Sequence, residues 1–176
     1  VCDKLEEISE IAKNYNLIIL SDEIYSELTF SNSYKSISNY CPEKTIISTG
    51  LSKWCGAGGW RLGYFIIPDE LNDLKNMINV LASETFSAVS APIQYAAIKA
   101  YENDHSTYIK KSINILSTVG KYVFSNLKSN KVLINEPHGG FYLMPEFLNN
   151  KFKSSSEMCN DILNNTGVAL LPGSDF

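Results

Sequence analysis

Histidine is scarce in this chain of 176 residues, with two copies, and its four cysteines stand far apart. Cys2, Cys41, Cys55 and Cys159 form no Cys-x-x-Cys pair, so the close ligand spacing of a structural zinc site is missing and no metal is expected. Scattered cysteines read as free thiols of a reducing compartment, and a cytoplasmic location is the expectation. There is no dense cluster of Lys or Arg in a chain of net charge −4, which argues against nucleic acid as a partner. Uninterrupted apolar runs fall well short of the ~20 residues that cross a bilayer, and no signal peptide is visible, so no membrane partner is expected. Internal repeats and low-complexity tracts are also lacking. The chain opens on Val1, without an initiator Met, inside an apparent helix and stops on "PGSDF". It reads as a piece of a longer protein.

What is present is the composition of a globular protein, 44% hydrophobic and 19% charged, with length for one or two domains and a hydrophobic core. Leu5, Ile8, Ile11, Ala12 and Tyr15 recur at helical spacing, and Asp3 with Glu6 has the form of a capping box. Three apolar runs follow: "LIIL" at 17–20, "TIIS" at 45–48 and "LGYFIIP" at 62–68. Such runs suit strands buried on both faces of a sheet. Helical patterns then run through Leu71, Leu74, Ile78 and Leu81, through a segment with Pro92 in its first turn, and through Tyr108, Leu116, Val119, Val123 and Leu127. Near residue 130 the character changes. "KVLIN", "GGFYLMPEF" and "VALLP" read as short strands, with a helix at about 155–165 stopped by Gly167. The reading is an α/β unit over 1–128 followed by part of a smaller α+β unit over 129–176.

Chemistry concentrates in two places. Asp22 and Tyr25 fall just past the first apolar run, in "LIILSDEIY", where the carboxyl ends of sheet strands hold ligands. A carboxylate there can hold a cationic nitrogen, although Asp22 and Glu23 read equally as solvated turn residues. The second place is "STGLSKWCGAGGWRLG" at 48–63, which packs five glycines around Lys53 and Arg61. An isolated loop lysine is ordinarily a surface residue. Beside glycines and Trp54, however, a partly desolvated amine becomes a nucleophile for a carbonyl. Arg61 offers a planar guanidinium to a phosphate, and the glycines let the backbone pass close to a ligand. A rival reading takes the apolar run before Asp22-Glu23 as the metal-binding strand of a nucleotide hydrolase. That reading needs a GxxxxGK[ST] loop, and the chain holds none.

A strand ending in D-x-x-Y, a strand leading into S-K, and G-x-R-x-G with its arginine eight residues beyond the lysine together resemble one family closely: the class I and II aminotransferases, pyridoxal-phosphate enzymes of fold type I. "GGFYLMPEF" and "GVALLPGSDF" are similar to that family's small-domain strands, so the resemblance runs along essentially the whole chain. It implies an α/β fold, a mixed sheet flanked by helices from the large domain and then a partial small domain. It implies pyridoxal 5'-phosphate as cofactor, an amino acid and a 2-oxo acid as substrates, and a homodimer for the full-length protein. Lys53 would bond to the cofactor aldehyde and later move the proton at the substrate α-carbon. Asp22 would pair with the pyridine nitrogen, Tyr25 with the phenolic oxygen, and Arg61 with the phosphate.

The match has one local departure. Many relatives carry a phosphate-binding serine three residues before the lysine, where this chain has Gly50; Ser52 or Thr49 would have to compensate. The family's upstream phosphate turn, its ring-stacking aromatic and the Asn of NPxNPTG would precede Val1, and its substrate-carboxylate arginine would follow Phe176. The fragment alone is therefore expected to be inactive. A pyridoxal-phosphate lyase or synthase of the same fold is the alternative, and a non-catalytic interaction fragment is another. His105 and His138 receive no role, and Phe141 and Tyr142 are expected to pack the smaller unit.

Overall fold

A computed structural model describes residues 2–31 and 34–176. The side chain of Asp3 is not among the described ones, so the capping box with Glu6 lies outside them. The chain divides into two units, residues 1–115 with 138–140, and residues 116–137 with 141–176.

The first unit opens with α1 (Cys2–Asn14). Ala12 and Ser9 are its buried face, and Asn16, at φ 55°, turns the chain out of the helix, as short amide side chains do in the left-handed region. The Leu17 N–H then bonds the Ala12 carbonyl at 2.8 Å. That bond holds Leu17 at the helix end, which is why β1 (Ile19–Asp22) starts two residues later than the apolar run. It pairs in parallel with β2 (Thr45–Gly50), from Ile19 opposite Thr45 to Asp22 opposite Ser48. The crossover between them is made of short 3₁₀ turns at Ser26–Leu28, Ile37–Asn39 and Pro42–Lys44. On its other side β2 pairs antiparallel with β3 (Gly63–Ile66), placing Gly50 opposite Gly63. The sheet is mixed, in the order β1-β2-β3. Three helices follow: α2 (Asn72–Thr85), α3 (Ala91–Glu102) with Pro92 in its first turn, and α4 (Ser106–Leu127). Among the described residues no helix is long and apolar enough to cross a membrane.

Burial departs from the expectation for these strands. Leu20 is 66% exposed and Phe65 51%, and β3 is exposed along its whole length. Ile78 and Ala82 of α2 line a cavity together with Phe65, so that helix faces the strand without closing over it. The fully buried side chains are Leu28, Leu51 and Cys41, with Trp54, Ala57 and Leu62 close behind. They flank both ends of β2, since Cys41 precedes Thr45 and Leu51 follows Gly50, and Thr45 and Ile46 are buried between them. Four of the six belong to the glycine-rich segment 48–63.

In the second unit β4 (Val132–Leu133) pairs antiparallel with β5 (Glu146–Phe147). The longer strands expected at 139–147 and 168–172 do not form. Pro145 and Pro172 each remove a ladder donor, and among the described residues no neighbouring strand pairs with 168–172. Helix α5 (Ser155–Thr166) has reciprocal caps: the Ser154 hydroxyl accepts from the Glu157 N–H at 3.1 Å, and the Glu157 carboxylate from the Lys153 N–H at 2.9 Å. It stops at Gly167, φ 74°, as its sequence implies. Phe141 and Tyr142 stack at 4.8 Å on the rim of an apolar cavity of about 580 Å³ that Met158 and Ile162 also line.

Candidate functional site

Parallel pairing decides where the chemistry gathers. Since β1 and β2 run the same way, the turn after Asp22 and the loop after Gly50 leave from one end of the sheet. The two acids of that turn part company. Asp22 is exposed, and its Oδ1 accepts the Ile24 N–H at 3.2 Å, closing a small turn. Glu23 is buried and accepts from the hydroxyls of Ser21, at 3.2 Å, and Ser36, at 2.5 Å. Tyr25, three residues past Asp22, is half-buried. Gly140, at φ 64°, lies against the Tyr25 ring, where an added Cβ would sit 3.4 Å from Cδ1. The 138–140 segment is held there by a bond from the Gly140 N–H to the Leu28 carbonyl and by one from the Phe30 N–H to the His138 carbonyl.

Lys53 reaches toward the same ring, with Nζ 5.6 Å from its centroid. The lysine loop is stiff despite its glycines. The Ala57 N–H bonds the Leu51 carbonyl at 3.3 Å, and the Gly56 N–H bonds the Lys53 carbonyl at 3.4 Å. Gly56 needs its freedom for the turn, at φ 66°. Gly50 is needed for close approach, because a Cβ there would lie 2.6 Å from the Leu62 oxygen and 2.9 Å from the Gly63 Cα. Position 50, where the resemblance leads one to expect a serine, therefore has no room for a side chain in this sheet. Thr49 and Ser52, the two hydroxyls expected to compensate, are both half-buried.

Arg61 sits at the far end of the loop in the left-handed region, φ 56° and ψ 42°, a costly conformation for a residue with a Cβ. Its Nη1 donates to the Gly58 carbonyl at 2.9 Å, while the side chain stays exposed and the guanidinium keeps further donors for an anion. Strain at an exposed arginine is the kind of feature functional sites hold. The structure thus places Lys53 against Tyr25, with Asp22, Ser52 and Arg61 at the same end of the sheet. Trp54 is noted in the sequence as a neighbour of Lys53, but its ring partners are not legible there: it lies 5.5 Å from Tyr101 and 5.7 Å from His105, residues about fifty positions further along the chain.

The sequence profile of the family described as "Aminotransferase class I and II" matches residues 2–176. The chain belongs to the class I and II aminotransferases. A probable N-acetyl-LL-diaminopimelate aminotransferase of Bacillus subtilis is 32% identical over 99% of this chain and 43% of its own length. An aspartate aminotransferase of Thermotoga maritima is 31% identical over 98% and 43%. In three dimensions, an alanine aminotransferase from Pyrococcus furiosus superposes with a TM-score of 0.84 at 31% identity, over 98% of this chain and 44% of that one. An aromatic aminotransferase from Pyrococcus horikoshii gives a TM-score of 0.88 at 27% identity, over 99% and 47%. The chain therefore spans less than half the length of these aminotransferases.

Members of the family use pyridoxal 5'-phosphate. The donor set at this end of the sheet suits such a molecule: an amine for its aldehyde, a carboxylate for its ring nitrogen, and a guanidinium for its phosphate.

Proposed function

We propose that this chain carries the lysine side of an aminotransferase site, whose whole moves an amino group between an amino acid and a 2-oxo acid. The observation that supports this most is Lys53 Nζ 5.6 Å from the Tyr25 ring centroid, on the sheet end that also bears Asp22 and Arg61. Pyridoxal phosphate, when bound, supplies the electron sink that stabilises negative charge on the substrate α-carbon. The remaining work falls to side chains. Lys53 Nζ would hold the cofactor through its aldehyde and, when free, would carry a proton to or from the substrate carbon. Asp22 would pair with the ring nitrogen and favour its protonated form. The Tyr25 hydroxyl would donate to the ring oxygen, while Arg61 and Ser52 would hold the phosphate. The relatives' names span diaminopimelate, aspartate, alanine and aromatic substrates, so only the substrate class is proposed. The chain by itself is proposed to be inactive, as it spans under half of the aminotransferases it matches.

Borohydride reduction in the presence of pyridoxal phosphate, followed by peptide mapping, tests the assignment. The expected result is a stable adduct on Lys53 in preference to the other lysines, lost in Lys53→Ala. An adduct spread evenly over exposed lysines would sink it.

A further inference from the structure

We infer that Trp54, held between Tyr101 and His105, is a positioning residue that aims the Lys53 amine. Burial is uneven along the loop. Leu51 is fully buried and Trp54 is 6% exposed, whereas Ser52 and Lys53 between them are half-buried. The loop is thus pinned two residues before and one residue after the lysine. The first pin belongs to the sheet: the Leu51 N–H bonds the Leu62 carbonyl at 3.4 Å, and the Leu51 carbonyl accepts from Ala57. The second pin includes two ring contacts. Trp54 lies 5.5 Å from Tyr101 at 53° and 5.7 Å from His105 at 45°, separations at which aromatic pairs attract. Tyr101 is itself braced edge-on by Tyr64 of β3 at 5.9 Å.

The two partners stand on either side of the break between α3 and α4. Tyr101 is in the last turn of α3, and His105 immediately precedes α4. Just past the tryptophan, Gly56 lies against the first turn of α4, where an added Cβ would come within 3.3 Å of the Tyr108 hydroxyl. The α3–α4 junction therefore grips the loop immediately after the lysine. His105 bears a signature of this grip. Its Nε2 is buried and has no hydrogen-bond partner among the described residues, a costly state for a polar atom. Packing of its ring against Trp54 gives a reason for the side chain to sit there. A phenylalanine would keep the packing and remove the orphaned nitrogen.

The importance of aiming this amine rests on the proposed role of Lys53, so the test separates the two. Competitive labelling of the chain with an amine-reactive anhydride reports the reaction rate at Lys53 against the exposed lysines of the same molecule, with no cofactor present. The wild-type rate at half-buried Lys53, relative to those internal standards, sets the reference. Trp54→Ala and His105→Ala should raise its relative rate by about threefold or more, as a pinned segment gains solvent access. Trp54→Phe and His105→Phe should stay near wild type. His105 is only half-buried, so His105→Ala decides the matter if Trp54→Ala does not fold. Unchanged Lys53 labelling in a folded His105→Ala chain would overturn the inference, as would equal rises at every lysine. Borohydride trapping on the same samples reads the cofactor role separately. A wild type that traps no adduct at Lys53 counts against that role, while the labelling contrast still decides whether the clamp exists.

Discussion

Gly50 shows how a residue's role depends on what lies across the sheet. By family resemblance its position belongs to a phosphate-binding serine; by register it belongs to the close approach of β2 and β3 at Gly63. The atoms that a Cβ would strike, the Leu62 oxygen and the Gly63 Cα, are backbone and cannot swing aside. Restoring the serine should therefore weaken the protein. Gly50→Ser is expected to cost roughly 2 kcal/mol or more, as overpacking does, while Gly59→Ala, made where space is open, should stay within about 0.5 kcal/mol. Urea denaturation midpoints check both, and equal midpoints would mean that the strands separate more easily than their pairing implies. The site residues Lys53, Asp22, Tyr25, Ser52 and Arg61 could be picked from the sequence because their types and spacing suit one ligand. The crowding at Gly50 could not, since it arises from a partner strand thirteen residues away. Nor could the partners of the inward acid: Glu23 continues the alternation of β1, which turns Asp22 outward, and it is held by the hydroxyls of Ser21 and the distant Ser36.

At the level of elements, the crossover from β1 to β2 is stabilised by polar groups rather than by a packed helix. Buried Glu23 anchors it to Ser36, and Tyr34 presses against the same carboxylate. Burial, then the negative charge of Glu23 and a hydrogen bond to it, push the Tyr34 phenol well above its ordinary value. Tyr64 on β3, 38% exposed overall, is raised as well, by desolvation around its hydroxyl and by its hydrogen bond to Tyr101. The sign of the linkage follows. A phenol whose folded pKa lies above its unfolded value of about 10 contributes fully below that value and loses its contribution as pH rises through the folded pKa. Stability should therefore decline above about pH 10, and Tyr34→Phe combined with Tyr64→Phe should flatten the decline. Urea midpoints from neutral to strongly alkaline pH measure it; an identical slope in the double variant would mean that other groups carry the effect. Helices α2 to α5 could be placed from their apolar spacing, Pro92 and Gly167, because helix signals are local. Strand limits were harder to place. The start of β1 depends on a hydrogen bond at the end of α1, and 168–172 has the composition of a strand without a partner to pair with.

For the molecule as a whole, the decisive quantity is surface. A compact protein of 19.6 kDa exposes roughly 8,600 Å², and two fully separate compact units of these sizes would together expose roughly 10,000 Å². This chain exposes 12549 Å². The excess is in large part apolar: Leu20 on β1, Ile66 on β3, and Met77, Val80 and Leu81 on α2 are each more than half exposed. Apolar runs suited to burial on both faces therefore lie bare, in a chain that spans under half the length of the aminotransferases it matches. Exposed apolar side chains in this number, on more than one face, favour association or binding of apolar molecules. The chain on its own should accordingly bind an environment-sensitive apolar dye and sediment faster as its concentration rises. Charges placed on two bare faces, Leu20→Lys with Leu81→Glu, should reduce both effects while leaving the circular dichroism intact, because neither side chain contributes to the buried core. A wild-type chain that stays monomeric and leaves the dye dark would show that these faces close on themselves in solution, and the packing described for β1, β3 and α2 would then be wrong.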